Sequence, residues 1–352
     1  LKIITLLIRP VFAGLIFFYS LLTVVELPGV NSMLYNLSAR ENGAAWFLFS
    51  LIMLVLPRFG GNKWSYFVSV LFSLLAAVLF YTPVYQIHGF SGKFNYSEWF
   101  IYNSPPVKAD TLEVIRNRRV NALYFEAEHP NSAEVWVILL HGGGFTGGDA
   151  SHMAHLGKYF ASMNIPAFSL NYSLSPESTY PNQIREIDSL LVKVRAQARF
   201  RSFCDAPFYV LGQSAGGTIA LNYAAKNPDS NLKAVINLYG ITDPGFIHPE
   251  SAISHANIAE MVDAYKGGLG PDPISPLRNA VNIPVPVYTF HGNDDVIVSV
   301  SQATNFHNKR LSLEFYEDRL FILPGATHLF DHPLSGPSGQ FLRKKLQEIV
   351  ER

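Results

Sequence analysis

The chain has 352 residues, 49% of them hydrophobic, and 27 Lys and Arg balance 27 Asp and Glu to a formal net charge of zero. With that balance, and no basic stripe carrying interleaved aromatics, no nucleic-acid partner is expected. The single cysteine, Cys204, excludes an internal disulfide and a cysteine metal cluster, and says little about the redox compartment.

The chain opens on Leu1 rather than Met, which leaves open a trimmed chain or an unusual start codon. Up to about residue 85 it is strongly apolar and sparsely charged. Three apolar segments stand out, at about 3–25, 44–56 and 64–84. A helix crosses the hydrocarbon core with about 20 apolar residues. The first and third segments reach that length, the first despite Arg9 and Pro10, while the second is short and bounded by Asn42-Gly43 and Pro57. A cleaved signal peptide and a buried helical cap are the competing readings, and two further apolar segments close behind the first weigh against the signal peptide. The expectation is a membrane region over 1–86 with about three transmembrane helices. Lys2 and Arg9 flank the first end, and Arg58 and Lys63 lie between the second and third segments. The loop over 26–43 holds Glu26, Arg40 and Glu41 with no basic excess. With three spans and the N-terminus inside, this pattern puts the part beyond the third segment on the extracytoplasmic side. If the second segment does not span, the parity changes.

A linker over 87–108, which includes Asn103-Ser104-Pro105-Pro106, leads into a domain over 109–352 where strand and helix signals alternate. Residues 111–115 and 122–126 read as a leading antiparallel pair of short strands. The run over 135–140 is short, continuously apolar and ends in glycines, as a buried parallel strand does. A helix over 151–163, a strand over 167–171, a helix over 182–198 and a strand over 208–211 follow. A helix over 216–226 and a strand over 234–238 come next. Prolines and glycines then break the rhythm over about 240–282, where a small helical insertion is expected. The alternation resumes with strands over 285–290 and 320–323, a helix over 301–311, and a last helix from about Ser338. The fold class is α/β: a doubly wound, mostly parallel sheet with helices on both faces.

Four pieces of chemistry occur in order: His141-Gly142-Gly143-Gly144-Phe145, Gly212-Gln213-Ser214-Ala215-Gly216-Gly217, Asp295, and Gly325-Ala326-Thr327-His328. Ser214 sits between a strand and a helix, where a sharp turn needs Gly212 and Gly216 because a side chain at either would clash. A serine hydroxyl is a poor nucleophile at neutral pH and needs a base. His328, just after a strand, suits that role, with Asp295 to fix its tautomer. The adjacent Asp294 is the alternative acid. Backbone N–H groups of Gly143, Gly144 and Ala215 suit an oxyanion hole, the glycines letting the loop turn inward. His152, His291 and His332 read as structural or surface histidines, and Cys204 as inert.

Together these residues resemble the α/β-hydrolase esterases of the hormone-sensitive-lipase and feruloyl-esterase-like branch. The resemblance covers roughly residues 110–350. It rests on the glycine loop at 141–145, on Asn171-Tyr172-Ser173-Leu174-Ser175-Pro176-Glu177, on the serine motif at 212–217, and on His291-Gly292-Asn293-Asp294-Asp295-Val296-Ile297-Val298. It implies Ser214, Asp295 and His328 as the triad, Gly143, Gly144 and Ala215 as the oxyanion hole, and Phe145 and Tyr172 as substrate-binding residues. Gln213 stands where the lipase-like branch usually has Asp, and Ser173 where it often has Arg. Both departures point toward the feruloyl-esterase or formamidase-like side. The expected protein is a membrane-anchored serine hydrolase, acting on a small-molecule ester or acylated substrate, lipid or envelope component, with membrane lipid as its surroundings. No cofactor or metal is expected. The alternatives are an amidase or deacetylase on an envelope or arylformamide substrate, and a binding protein on an inactive hydrolase fold.

Overall fold

A computed structural model describes residues 2–23, 30–55, 63–89, 94–100, 106–116, 120–226, 228–245 and 255–352. Glu26, Pro57, Arg58, the Asn103-Ser104-Pro105 part of the linker and residues 246–254 of the insertion lie outside them. The chain divides into two compact units, one of residues 104–291 and 297–322, the other of residues 1–103, 292–296 and 323–352.

The larger unit is built on a sheet. Its strands are β1 (Ala109–Ile115), β2 (Val120–Phe125), β3 (Trp136–Leu140), β4 (Ala167–Asn171), β5 (Phe208–Gln213), β6 (Leu232–Leu238), β7 (Val287–Gly292) and β8 (Arg319–Leu323). They lie in the order β1-β2-β4-β3-β5-β6-β7-β8. The leading antiparallel pair is present, with β2 antiparallel to both β1 and β4. From β4 through β7 the pairings are parallel. The central strands β3 and β5 are buried along their whole length. A strand covered on both faces has no polar side to show, which is why these runs are apolar without alternation.

The register positions the chemistry. Leu140 pairs with Gly212 across β3 and β5, so the loop leaving β3 and the turn leaving β5 emerge side by side. The Ser214 N–H then bonds to Leu238 O at 2.9 Å, at the end of β6. The unit's helices include α6 (Ala154–Ser162), α7 (Asn182–Ala196), α8 (Ala215–Lys226), α9 (His255–Lys266) and α10 (Ser301–Ser312). The helix expected over 151–163 begins as a 3-10 turn over Ala150–Met153, which Asp149 caps through Ser151 N.

The smaller unit gathers helices α1 (Lys2–Ser20), α2 (Val30–Glu41), α3 (Ala44–Val55), α4 (Lys63–His88) and α5 (Tyr96–Phe100) with the C-terminal α11 (Pro337–Val350). Ile16, Ala39, Ala76 and Phe80 form one small core, and Ala44, Val84, Phe94 and Trp99 another. Two stretches differ from expectation. The loop expected over 26–43 contains α2, whose mixed composition hides its helix from a hydropathy reading. The stretch read as linker contains α5, whose Trp99 is buried. Among the described residues, one helical segment, Tyr66–His88, is long and apolar enough to cross a membrane. A shorter apolar helical stretch runs over Pro10–Thr23, and α3 has 12 residues.

Candidate active site

The glycine loop and the serine turn belong to the larger unit. Ser214 has φ +50°, a left-handed backbone that a side chain rarely adopts, at the junction of β5 and α8. Its neighbours explain how that turn closes. A Cβ at Gly212 would fall 2.1 Å from Gly216 O, and one at Gly216 would fall 2.2 Å from Leu140 O. Both glycines are therefore required by close backbone approach, the first to the helix and the second to β3. Strain held at one residue by surroundings this tight is a mark of functional sites.

The glycine loop is as tightly specified. Gly143 and Gly144 have φ +120° and +61°, and a Cβ at Gly143 would meet Gly147 O. The turn is closed by Gly147 N–H donating to Gly143 O at 2.9 Å. A Cβ at Gly142 would come within 3.3 Å of the Ser214 Cβ, which brings loop and nucleophile together. Ala215 opens α8, where backbone N–H groups lack an acceptor within the helix.

Phe145 and Tyr172 are both buried. The Tyr172 ring stacks on His141 with centroids 4.1 Å apart, and its hydroxyl donates to His141 O at 2.8 Å. Phe145 stacks on Tyr265 of α9, also at 4.1 Å. These contacts brace the loop at its two ends. Burial pushes the His141 imidazole down to about 4, so the loop carries no positive charge from this ring at neutral pH. The α9 helix is where sequence reasoning expected an insertion, but its role was not legible. Met261 packs on Gly144 closely enough that a Cβ there would meet its sulfur. Ser173, which departs from the family pattern, donates its N–H to the buried Glu186 carboxylate at 2.8 Å.

The acid turn and the base loop belong to the smaller unit. Asp295 Oδ2 lies 2.7 Å from His328 Nδ1, with both side chains nearly inaccessible to water. The two segments are clasped by Asn293 N–H to Leu323 O and Asp294 N–H to Ala326 O, both at 3.1 Å. Gly325 N–H adds a bond to the Asn293 side chain. Between the two candidate acids the structure distinguishes plainly: Asp295 faces the imidazole, while Asp294 Oδ2 takes a hydrogen bond from Arg40 Nη1 at 2.9 Å. Arg40, on α2, was seen in the sequence only as a loop charge. Of the other residues considered, His291 is buried with Nε2 2.7 Å from Val298 O, His332 lies beside Asp331, and His152 is exposed. Cys204 is buried, and desolvation pushes its thiol up.

A mostly parallel sheet with a strained serine between strand and helix, and a buried Asp–His pair, defines the α/β-hydrolase class. Residues 137–318 match the family described as alpha/beta hydrolase fold, and the chain belongs to that family. It is similar to the probable carboxylic ester hydrolase LipM of Mycobacterium tuberculosis, 25% identical over 217 residues. That match takes in 54% of this chain and 48% of LipM, so the chain spans about half of that relative's length. It is also similar to hormone-sensitive lipase of Mus musculus, 26% identical over 106 residues, or 28% of this chain and 14% of that one. Among solved structures, esterase B from Lactobacillus Rhamnosis shares the fold with a TM-score of 0.62 at 18% identity. The superposition covers 72% of this chain and 89% of that chain.

Proposed function

We propose that the chain is a membrane-anchored serine hydrolase that cleaves carboxylic esters through an acyl-enzyme. The observation that carries this reading is the left-handed Ser214, held between glycines that nothing larger could replace. Ser214 Oγ attacks the ester carbonyl while His328 Nε2 takes its proton. Asp295, at Nδ1, favours the tautomer in which Nε2 acts as base. The developing oxyanion is received by the N–H groups of Gly143, Gly144 and Ala215. The proton on His328 then passes to the leaving alcohol, and water repeats the sequence to release the acid. Phe145 and Tyr172 serve the substrate pocket by fixing the loop that forms one of its walls. The named activity of LipM supports an ester as substrate.

The anchor is the apolar N-terminal region, 1–86, joined through 87–108 to the catalytic domain over 109–352. Support comes from Tyr66–His88 and from the outward apolar residues of the helices, among them Phe12, Leu15, Phe18, Phe67, Leu74 and Val78. The ends of the apolar pair α3–α4 also fit. Arg40 and Glu41, just before α3, bond to Asp294 and Ser338, while His88, closing α4, bonds to Pro337. A hairpin that leaves from and returns to one side is compatible with these contacts. With the first segment also spanning, the distribution of Lys2, Arg9, Arg58 and Lys63 in the sequence favours an extracytoplasmic catalytic domain.

The test uses detergent-purified full-length protein and Ser214→Ala, assayed on p-nitrophenyl esters of short and long acyl chains and on matching anilides. Hydrolysis of esters by the parent, reduced about 10⁴-fold or more in the variant, is expected. Equal rates in both would remove Ser214 from the mechanism, and a preference for anilides would replace the ester with an amide.

A further inference from the structure

We propose that Arg40 is a positioning residue for the Asp295–His328 pair, so that a helix of the N-terminal region takes part in setting the catalytic geometry. The proposal rests on the hydrolase reading above. It starts from the last turn of α2, where Arg40 and Glu41 are both buried. A buried guanidinium is held only if its donors are satisfied. Arg40 Nη2 donates to Gln86 Oε1 of α4 at 3.0 Å, and Nη1 to Asp294 Oδ2 at 2.9 Å. Next to it, the Glu41 carboxylate accepts the Ser338 N–H at 3.1 Å, at the start of α11. The end of α2 is thus tied down on three sides.

The guanidinium also lies against the base loop. Gly325 has φ +68°, and a Cβ there would fall on Arg40 Nη2. Arg40 therefore touches the acid turn one residue before Asp295 and the base loop three residues before His328. These are the segments that Asn293 and Asp294 clasp through the backbone. The contact with Asp294 also neutralises a carboxylate adjacent in sequence to the buried Asp295, limiting like-charge repulsion beside the pair. A residue touching both loops acts on their relative placement. A displacement of about 1 Å at such a constellation costs about 10²-fold in rate. Residues 137–318, which match the family, include Asp294 and do not include Arg40.

The experiment compares full-length parent, Arg40→Met, Arg40→Lys, Asp294→Asn and the double variant R40M/D294N in detergent. Ester kinetics are measured together with thermal melts and the low-field Nδ1–H resonance of His328 in protein with isotope-labelled histidine. The expected result is a fall of about 10²-fold in kcat for R40M with little change in KM. R40K should regain part of it, since an ammonium keeps the charge and loses the fork. D294N should show a similar loss, and the double variant no more than either single one, because both remove one contact. The His328 resonance should weaken in R40M. Unchanged kcat in R40M, losses that multiply in the double variant, a fall in rate matched by loss of folded protein, or a His328 resonance that persists in R40M would each overturn the proposal. Should R40M fail to fold, D294N removes the same contact from the other side and carries the same expectations. A parent inactive on every ester and anilide would count against the hydrolase reading, while the His328 resonance still decides the role of Arg40. Its absence from the parent as well would overturn that role.

Discussion

Each candidate catalytic residue is held by a different physical device. Ser214 is held by backbone strain that two glycines make possible, and His328 by a buried carboxylate at 2.7 Å. The two adjacent aspartates show how little the residue type alone decides. Asp294 and Asp295 are chemically identical, yet one is turned to a guanidinium and the other to an imidazole. This division gives a sharp expectation. Asp295→Asn should lower kcat by about 10⁴-fold with a small effect on KM, because an amide no longer enforces the tautomer that leaves Nε2 as base. The loss should be far deeper than that of Asp294→Asn. Steady-state kinetics of the two variants side by side make the check, and a deeper loss in Asp294→Asn would exchange their roles. The glycine loop and the serine turn were legible in the sequence because their geometry depends on local backbone demands that only certain residues meet. Arg40 was not, since its partner lies 254 residues away and no local pattern signals it.

Elements were legible wherever one driving force dominated. Strand β4 and the start of α7 fall where the sequence reading places them, and β5 continues two residues further than the apolar run because Gly212 and Gln213 are also paired. Where forces were mixed, the reading lost the element, as with α2, whose polar and apolar residues give no clear period. One buried cluster inside the larger unit has an energetic consequence of its own. Arg310 of α10 is fully buried, and all five of its N–H donors find acceptors: both Asp318 oxygens and the carbonyls of Ala280, Ile283 and Val285. Asp318 in turn accepts the N–H of Val287 at the start of β7, so α10, the 280–285 turn and β7 share one anchor. Arg310→Met leaves a buried carboxylate and three carbonyls without their donor. It should cost about 3–5 kcal/mol of stability. A clear fall in melting temperature, with activity retained in the folded fraction, is the expected observation; an unchanged melt would show the anchor to be dispensable.

At the scale of the molecule, the smaller unit combines the first hundred residues with the acid turn, the base loop and the last helix. Glu41 joins α2 to the start of the last helix through one buried carboxyl, and its ionisation bears on stability. Burial pushes it up from 4.5 to about 7, against the Ser338 hydrogen bonds and the Arg40 charge that pull it down, with Asp331 adding a smaller upward push. The sign follows from proton binding. Between about pH 4.5 and 7 the folded chain keeps a proton on Glu41 that the unfolded chain has lost, so stability falls as pH rises through that window. Each tenfold difference in proton affinity between the folded and unfolded chain is worth about 1.4 kcal/mol, so the full change is a few kcal/mol. Glu41→Gln keeps an oxygen for the Ser338 N–H and cannot ionise. Its melting temperature should exceed that of the parent at pH 8, converge on it near pH 4.5, and lack the parent's decline in between. Parallel pH profiles for the two proteins would mean that Glu41 is ionised in the fold at neutral pH. Its charge would then be sustained by Arg40, and the end of α2 would be held chiefly by an ion pair rather than by a neutral hydrogen bond.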